Sequence, residues 1–399
     1  MFVVVLWSEP ILHVDMDSFF VEVERLDDSG LRGVPAAVGG AGRRGVIASA
    51  SYEARRFGVH SAQPTSTALR LCPRLRLVPP RHDRYADVSG SVFEVFRSFT
   101  PNVEGMSLDE AFLDVNGLRL HHESPLAVAI AVRRALRDDM GLPASVGVAS
   151  VKFIAKLASD AAKPDGIRHV PLEEQMEFLS GLPVTAMWGV GPATFAALAR
   201  LGVETIGDLA DLPLGPLTSA VGPSAGRHLH DLARGIDPRE VVPDIRAKSI
   251  SVEETYPYDL SSREVMETAL LALSQRLSAR LRASGARSRT LTLKLRLADF
   301  TTITRSVTRD VGLDGYRQIF RLAGEMLSSL GDTGPVRLLG LGGSSLEPAS
   351  GPTQLGLDAD EGWERVEDAL ADVQERFGED AVRPARLAPS PKRTKNPDA

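Results

Sequence analysis

The sequence predicts a multidomain α+β protein, and three observations carry that expectation. Its 399 residues exceed one ordinary domain and suggest two to four. Short apolar, strand-like runs alternate with helix-like segments through the first half of the chain. The texture then changes twice, at Leu182 and around Val242-Pro243-Asp244-Ile245-Arg246, where a small-residue helical stretch and then a basic, alternating stretch begin. With 43% hydrophobic and 25% charged residues, the composition is that of a soluble globular protein. A single cysteine, Cys72, rules out an internal disulfide and a cysteine-based zinc site. The apolar start, Met1 to Trp7, is short and holds no basic residue, so it does not read as a signal peptide. No run approaches the length of a membrane span, and we expect a cytosolic protein.

Two short runs organise the first half. Ile11-Leu12-His13-Val14-Asp15-Met16-Asp17 is β-type and ends in acids, with Asp15 and Asp17 on one face. Met106-Ser107-Leu108-Asp109-Glu110-Ala111-Phe112-Leu113-Asp114 sets two adjacent carboxylates in an apolar run. Alternation forces one of Asp109 and Glu110 inward or to a strand end. Burying an unpaired carboxylate is costly, and a bound cation offsets that cost. Two strands that bring acids to one spot suit a two-metal phosphoryl-transfer site, since Mg²⁺ takes oxygen ligands. Strand-end acids that cap turns or face solvent give the same local pattern, and the runs alone leave both readings open.

In chain order, Ser18 is expected to N-cap a helix that begins at Phe19 and Phe20, placing both rings beside the acids or in the core. Gly39-Gly40-Ala41-Gly42 is a loop. From Arg44 a strand leads into a helix closed by Gly58, on which Tyr52, Arg55 and Arg56 share a face. That face suits a phosphate or a surface salt bridge. Pro79-Pro80 marks a boundary before a helix from Tyr85 to Ser98. Residues 125–140 form an amphipathic helix with apolar Ala127, Ile130, Ala131 and Leu136. The strand Ser145–Ala149 precedes a helix with Lys152 and Lys156, and Lys163 follows just before the stop at Pro164-Asp165-Gly166. A lysine here balances triphosphate charge or lies on a solvated face.

Trp188-Gly189-Val190-Gly191-Pro192 and Leu201 to Leu209 read as helix–hairpin–helix, in which glycine turns such as Gly189 and Gly191 expose backbone N–H groups to a DNA phosphate. Between Arg276 and Arg309 lie nine cations, Arg287, Arg289, Lys294, Arg296 and Arg305 among them, with only Asp299 opposing them in sequence. Thr290 to Leu297 alternates as a half-buried strand does. In a chain of net charge -6, such a cluster is the footprint of a polyanion partner.

These residues resemble the Y-family translesion DNA polymerases of the bacterial DNA polymerase IV type. The likeness spans residues 10 to 345 and rests on four ordered motifs: Val14 to Phe20, Ala50 to Arg55, Ser107 to Phe112 and Ala162 to Gly166. It implies a right-hand fold: a ferredoxin-like palm (1–18 and 81–170) with helices on one face, and small fingers (19–80). A helix–hairpin–helix thumb (171–240) follows, then a linker (241–247), a separate α/β little finger (248–348) and a flexible tail (349–399). It implies that Asp15, Asp109 and Glu110 are the catalytic, metal-binding carboxylates, assisted by the Met16 carbonyl, for two Mg²⁺ ions, with Mn²⁺ as a substitute. By the same likeness Phe20 is a steric gate against a ribose 2′-OH, with Phe19 beside it. Ser49, Tyr52, Arg55 and Lys163 hold the incoming triphosphate, while Asp17 supports structure. The partners implied are primer-template DNA and a dNTP, for a monomer that does not proofread. Val151 stands where the family pattern has Asn, so a local cap is altered. Gln354-Leu355-Gly356-Leu357 is similar to the family's sliding-clamp peptide, with Asp358 in place of the usual aromatic. A polymerase-like scaffold is the rival reading, and intact Asp15, Asp109 and Glu110 argue against it.

Overall fold

The structure is a computed structural model that describes residues 7–243 and 246–349, with scattered positions between 366 and 388. The chain divides into two compact units, Met1–Ile245 and Arg246–Ala399. The first opens with strand β1 (Ile11–Met16), helix α1 (Phe19–Asp27) and strands β2 (Ala36–Gly39) and β3 (Ile47–Ala50). Helices α2 (Tyr52–Arg55) and α3 (Thr65–Leu71), strand β4 (Arg76–Val78) and the long helix α4 (His82–Phe99) follow. Next come β5 (Val103–Gly105), β6 (Glu110–Asp114), α5 (Pro125–Met140), β7 (Ala144–Ala149), α6 (Lys152–Ala162) and β8 (Ile167–His169). Five strands form one sheet in the order β5-β6-β1-β7-β8, and β3-β2-β4 form a separate small sheet.

All six residues of β1 are buried, which happens only when both faces of a strand are covered. Leu12, Val14 and Met16 enter a core shared with α4 and α5, while Ile11 packs with Phe153 and Ile154 of α6. The expectation of helices on one face is thereby corrected: α4 and α5 cover one side and α6 the other. Gly147 of β7 makes the second layer feasible. A Cβ there would lie 1.9 Å from the Ala155 carbonyl oxygen, so only glycine admits α6 this close. At the start of α6, Val151 offers no side-chain cap. Its place is taken by Asp237, which accepts the Phe153 N–H at 3.0 Å and is itself held by Arg239 Nε at 2.7 Å.

Ser124 caps α5 and Gly141, at φ 69°, closes it. Its buried face is Pro125, Val128, Ala129, Val132 and Leu136, whereas Ile130 is 53% exposed. The expected apolar set therefore mixes two faces: Leu136 belongs to the buried i, i+3, i+4, i+7, i+11 series from Pro125, and Ile130 does not.

Helices α7 (Gln175–Ser180), α8 (Pro192–Ala199), α9 (Ile206–Asp211), α10 (Leu214–Val221) and α11 (Pro223–Ala233) complete this unit. Their apolar residues share a core with α6.

The second unit runs β9 (Ser249–Leu260), α12 (Arg263–Ala283), β10 (Ala286–Leu297), β11 (Thr302–Leu313), α13 (Tyr316–Ser329) and β12 (Val336–Pro348). Its antiparallel sheet has the order β11-β10-β12-β9. Leu291, Leu293 and Leu295 pack on Leu270, Leu277 and Ile319, so α12 and α13 lie on one face. Thr290, Thr292, Lys294 and Arg296 alternate with those leucines and occupy the other.

Candidate active site

The carboxylates meet because β1 pairs antiparallel with β6. Asp15 lies opposite Glu110, and the Met16 N–H donates to the Asp109 carbonyl at 3.0 Å. Asp15, Met16, Asp109 and Glu110 line one cleft. Phe19 and Phe20 also line it, as do Ser49, Tyr52, Arg55 and Lys163. Every residue that the family resemblance assigns to metal or nucleotide thus lines this cleft.

Each carboxylate is turned onto a cation or a donor. Lys163 Nζ lies 2.6 Å from Asp15 Oδ2 and 2.9 Å from Asp160 Oδ1. Lys156 Nζ lies 2.5 Å from Glu110 Oε2, and Ser107 Oγ donates to Asp109 Oδ1 at 2.5 Å. Burial pushes the Asp15 carboxyl up to about 6 against the pull of Lys163, and it raises Asp109 as well. Glu110 is held at about 2, by the His13 imidazole and then by Lys156, which together outweigh its burial. Burial works against the Lys163 ammonium, but Asp15 and Asp160 outweigh it and raise its pKa. Among the described residues, no three His, Cys, Asp or Glu side chains converge in metal-coordinating geometry. The donor set nonetheless fits a hard divalent ion: acidic oxygens on adjoining strands, two of which need positive charge strongly enough to hold lysines.

Asp17, just past β1, is buried and accepts from Tyr52 Oη at 2.6 Å, from Ser145 Oγ at 3.1 Å and from the Asp165 N–H at 2.6 Å. With three donors from three segments, it ties the edge of the small sheet to the larger one. Ser18 does not cap α1. Its backbone is left-handed at φ 46°, and its hydroxyl donates to the Ala50 carbonyl at 3.0 Å. Arg55 Nε reaches the same carbonyl at 3.0 Å, and its guanidinium lies over the Tyr52 ring at 4.7 Å. Arg56, expected on the same face, does not line the cleft. Phe20 stacks on Tyr85 at 4.3 Å, and the Tyr85 hydroxyl donates to Glu24 at 2.6 Å, so the ring is braced from behind.

Sequence reasoning missed Ser61, Ala48 and Ser18 as lining residues, and it missed His13 and Lys156 as partners of Glu110. For His13 a signal existed: it stands two residues before Asp15 on one strand, hence on the same face. Ser61 lies in an exposed loop whose sequence gives no cue.

The nominated DNA contacts divide. Gly189, at φ 96°, and Gly191, which opens α8, sit in a turn where an added Cβ would meet nothing within 4 Å, so a strand can approach the backbone. In the second unit the basic cluster is opposed in space by acids far off in sequence. Lys294 pairs with Glu253 at 2.6 Å, Arg276 with Glu254 at 2.9 Å and Arg287 with Asp314 at 3.1 Å. Arg305 is opposite Leu293 and therefore lies on the other side of the sheet from Lys294 and Arg296. Arg289 is exposed, with Nε on the Arg309 carbonyl at 3.3 Å. Gln354, Leu355 and Leu357 lie outside the described residues.

Comparison with known proteins bears on most of the chain. The impB/mucB/samB family profile matches residues 14–160, and that family's C-terminal domain matches 247–357. The profile described as DNA polymerase-iota, thumb domain, matches 185–237. A protein of Desulfatibacillum aliphaticivorans named DNA polymerase IV is 42% identical, over 94% of this chain and 96% of its own. One of the same name from Halorhodospira halophila is 44% identical, over 85% and 95%. A solved Y-family DNA polymerase chimera, Dbh-Dpo4(243-245)-Dbh, superposes with a TM-score of 0.78 at 24% identity, covering 84% of this chain and 98% of that one, a likeness of fold.

Proposed function

Since the chain belongs to the impB/mucB/samB family of Y-family DNA polymerases, as a DNA-directed enzyme of the DNA polymerase IV group, we propose that its cleft performs two-metal nucleotidyl transfer. The observation that carries this is the convergence in one cleft of Asp15, Asp109 and Glu110 with Ser49, Tyr52, Arg55 and Lys163. Asp15, Asp109, Glu110 and the Met16 carbonyl would hold two Mg²⁺ ions, and Mn²⁺ as a substitute. When bound, such ions stabilise charge on the attacking and leaving oxygens of an in-line displacement. The chain's own residues do the rest. Lys163, 2.6 Å from Asp15, is the cation nearest that carboxylate and is placed to turn to the leaving phosphates. Arg55, stacked on Tyr52, adds a fixed positive charge at the same rim. Phe20, lining the cleft and braced by Tyr85, would pack against the C2′ edge of the sugar and exclude a 2′-hydroxyl.

Primer-template DNA and dNTPs are the substrates of such a polymerase. The open turn at Gly189 and Gly191 and the outer sheet face with Lys294 and Arg296 are the surfaces that we assign to DNA. Arg287 and Arg289 flank that face, and Arg305 lies on the opposite one. We read the enzyme as a cytoplasmic monomer that lacks proofreading and tethers to a sliding clamp through Gln354, Leu355 and Leu357.

The test is primer extension with Mg²⁺ on undamaged and lesion-bearing templates, with a parallel reaction that starts from a mismatched primer terminus. The reading expects extension on both templates and retention of the mismatched nucleotide. Release of that nucleotide as monophosphate would contradict the absence of proofreading, and no extension with either metal would contradict the catalytic assignment.

A further inference from the structure

His13 is fully buried, at 0% exposure, and beyond its proximity to Glu110 the proposed transfer chemistry gives it no part. Strand alternation turns it to the α6 face together with Asp15. Gly147 lies opposite it on β7, so α6 approaches closely enough for Ser159 Oγ to sit 2.7 Å from His13 Nδ1. The ring packs against Phe112 with centroids 4.7 Å apart. Its other nitrogen, Nε2, lies 3.4 Å from Glu110 Oε2 and has no well-formed hydrogen bond.

A buried nitrogen without a partner is costly, and a carboxylate that ligates a metal needs an outer group to hold its orientation. Each side supplies what the other lacks. We propose that His13 is a positioning residue whose Nε2–H fixes the Glu110 carboxylate for a divalent ion, with Ser159 selecting that tautomer. The proposal rests on the two-metal reading of the cleft.

The tautomer follows from counting protons. Ser159 has one hydroxyl proton. Donated to the Lys156 carbonyl at 2.8 Å, it leaves Ser159 to accept Nδ1–H, and Nε2 then turns a bare lone pair toward a carboxylate. Donated to Nδ1, it leaves the ring proton on Nε2, where Glu110 accepts it. The Lys156 carbonyl still has its place in the helix ladder. Lys156 Nζ also holds Glu110 Oε2, at 2.5 Å, but on a long, rotatable stem. The imidazole is locked between Phe112 and α6, so it is the rigid member of the pair.

The experiment uses the full chain with primer-template and Mn²⁺ as probe. Bound Mn²⁺ is counted by electron paramagnetic resonance, beside the Mg²⁺ dependence of single-nucleotide insertion. His13→Phe keeps a ring against Phe112 and removes both nitrogens, whereas His13→Gln returns an N–H near the Nε2 position. The expected result is a Mn²⁺ Kd raised roughly tenfold or more in His13→Phe, the scale on which such outer partners act. Recovery in His13→Gln and a smaller rise in Ser159→Ala complete the expectation, with the apparent Mg²⁺ constant rising while the dNTP KM holds.

Parent-like Mn²⁺ affinity in His13→Phe, or equal losses in the Phe and Gln variants, would overturn the proposal. The Asp109→Ala, Glu110→Ala double variant keeps the two failures apart. If it binds Mn²⁺ as the parent does, the two-metal reading falls; if it loses Mn²⁺, that reading stands whatever His13 does. Should His13→Phe fail to fold, Ser159→Ala decides: a weaker site at unchanged Tm supports the role, and an unchanged site refutes it.

Discussion

Lys163 and Lys294 each lie 2.6 Å from a carboxylate, yet the two pairs differ in consequence. Asp15, the partner of Lys163, has a side chain only 9% exposed, so its charge is desolvated and its carboxyl is pushed up to about 6. Glu253, the partner of Lys294, is 51% exposed, and water and salt screen that pair. In the cleft, burial makes positive charge a structural requirement that a lysine or a metal ion can meet. On the outer sheet the same residue types make a weak, exchangeable contact, which suits a surface that grips phosphates without reading sequence.

The largest effect should come from the layer that creates the buried site. Gly147→Ala forces a methyl group onto the Ala155 carbonyl, and we expect a loss of about 3 kcal/mol in chemical denaturation, the upper range for overpacking. Near-parent stability would mean that α6 is not pressed on the sheet. Next, Phe20→Ala should raise the rNTP/dNTP incorporation ratio roughly tenfold or more while dNTP use persists. Equal ratios in mutant and parent would remove the gate assignment.

A pH experiment probes burial directly. The raised Asp15 carboxyl keeps its proton in the folded protein where the unfolded chain has lost it, between its ordinary 3.8 and about 6. Its contribution to stability is therefore complete below that window and lost as pH rises through it. Glu110, depressed to about 2, has the opposite sign, and its contribution is lost as pH falls below its ordinary 4.5. Thermal melts without divalent ions should show the Asp15 slope vanish in Asp15→Asn, and an unchanged slope would deny the desolvation. The smallest effect should fall on the outer sheet. Lys294→Ala should change stability by under about 1 kcal/mol. It should also lower the salt dependence of DNA binding by roughly one phosphate contact, with Arg305→Ala losing less. Equal losses from Lys294 and Arg305 would erase the distinction between the two sheet faces.

How legible these regions were follows the same divide. Strand alternation and the cost of a buried charge single out the two acidic runs, but it is the family motifs that choose Asp15, Asp109 and Glu110 among their acids. Phe20, Ser49, Tyr52, Arg55 and Lys163 were reached through the motifs, and one cleft receives them all. The partners Lys156 for Glu110 and Tyr85 for Phe20 come from distant segments, and no spacing announces them. On the outer sheet, counting charges along the chain misled. Period-two alternation sends Arg305 and Lys294 to opposite faces, and Glu253, Glu254 and Asp314 return to neutralise cations that look unopposed in sequence. The helices on both faces of the larger sheet were hidden for a related reason. Gly147, one position in a small-residue strand, leaves room for the second layer, and nothing in the local pattern marks it.

On the proposed reading, the pairing of β1 with β6 makes a metal-dependent polymerase site by bringing the buried Asp15 to the half-buried Asp109 and Glu110. The most direct measurement is Mg²⁺-dependent primer extension by the parent beside the Asp109→Ala, Glu110→Ala double variant, with primer-template binding followed by fluorescence anisotropy in the same samples. Equal DNA binding, extension by the parent and none by the variant are expected. Extension that survives the double substitution would contradict that reading. So would a parent that binds DNA and adds nothing with Mg²⁺ or Mn²⁺, which would leave a polymerase-like scaffold.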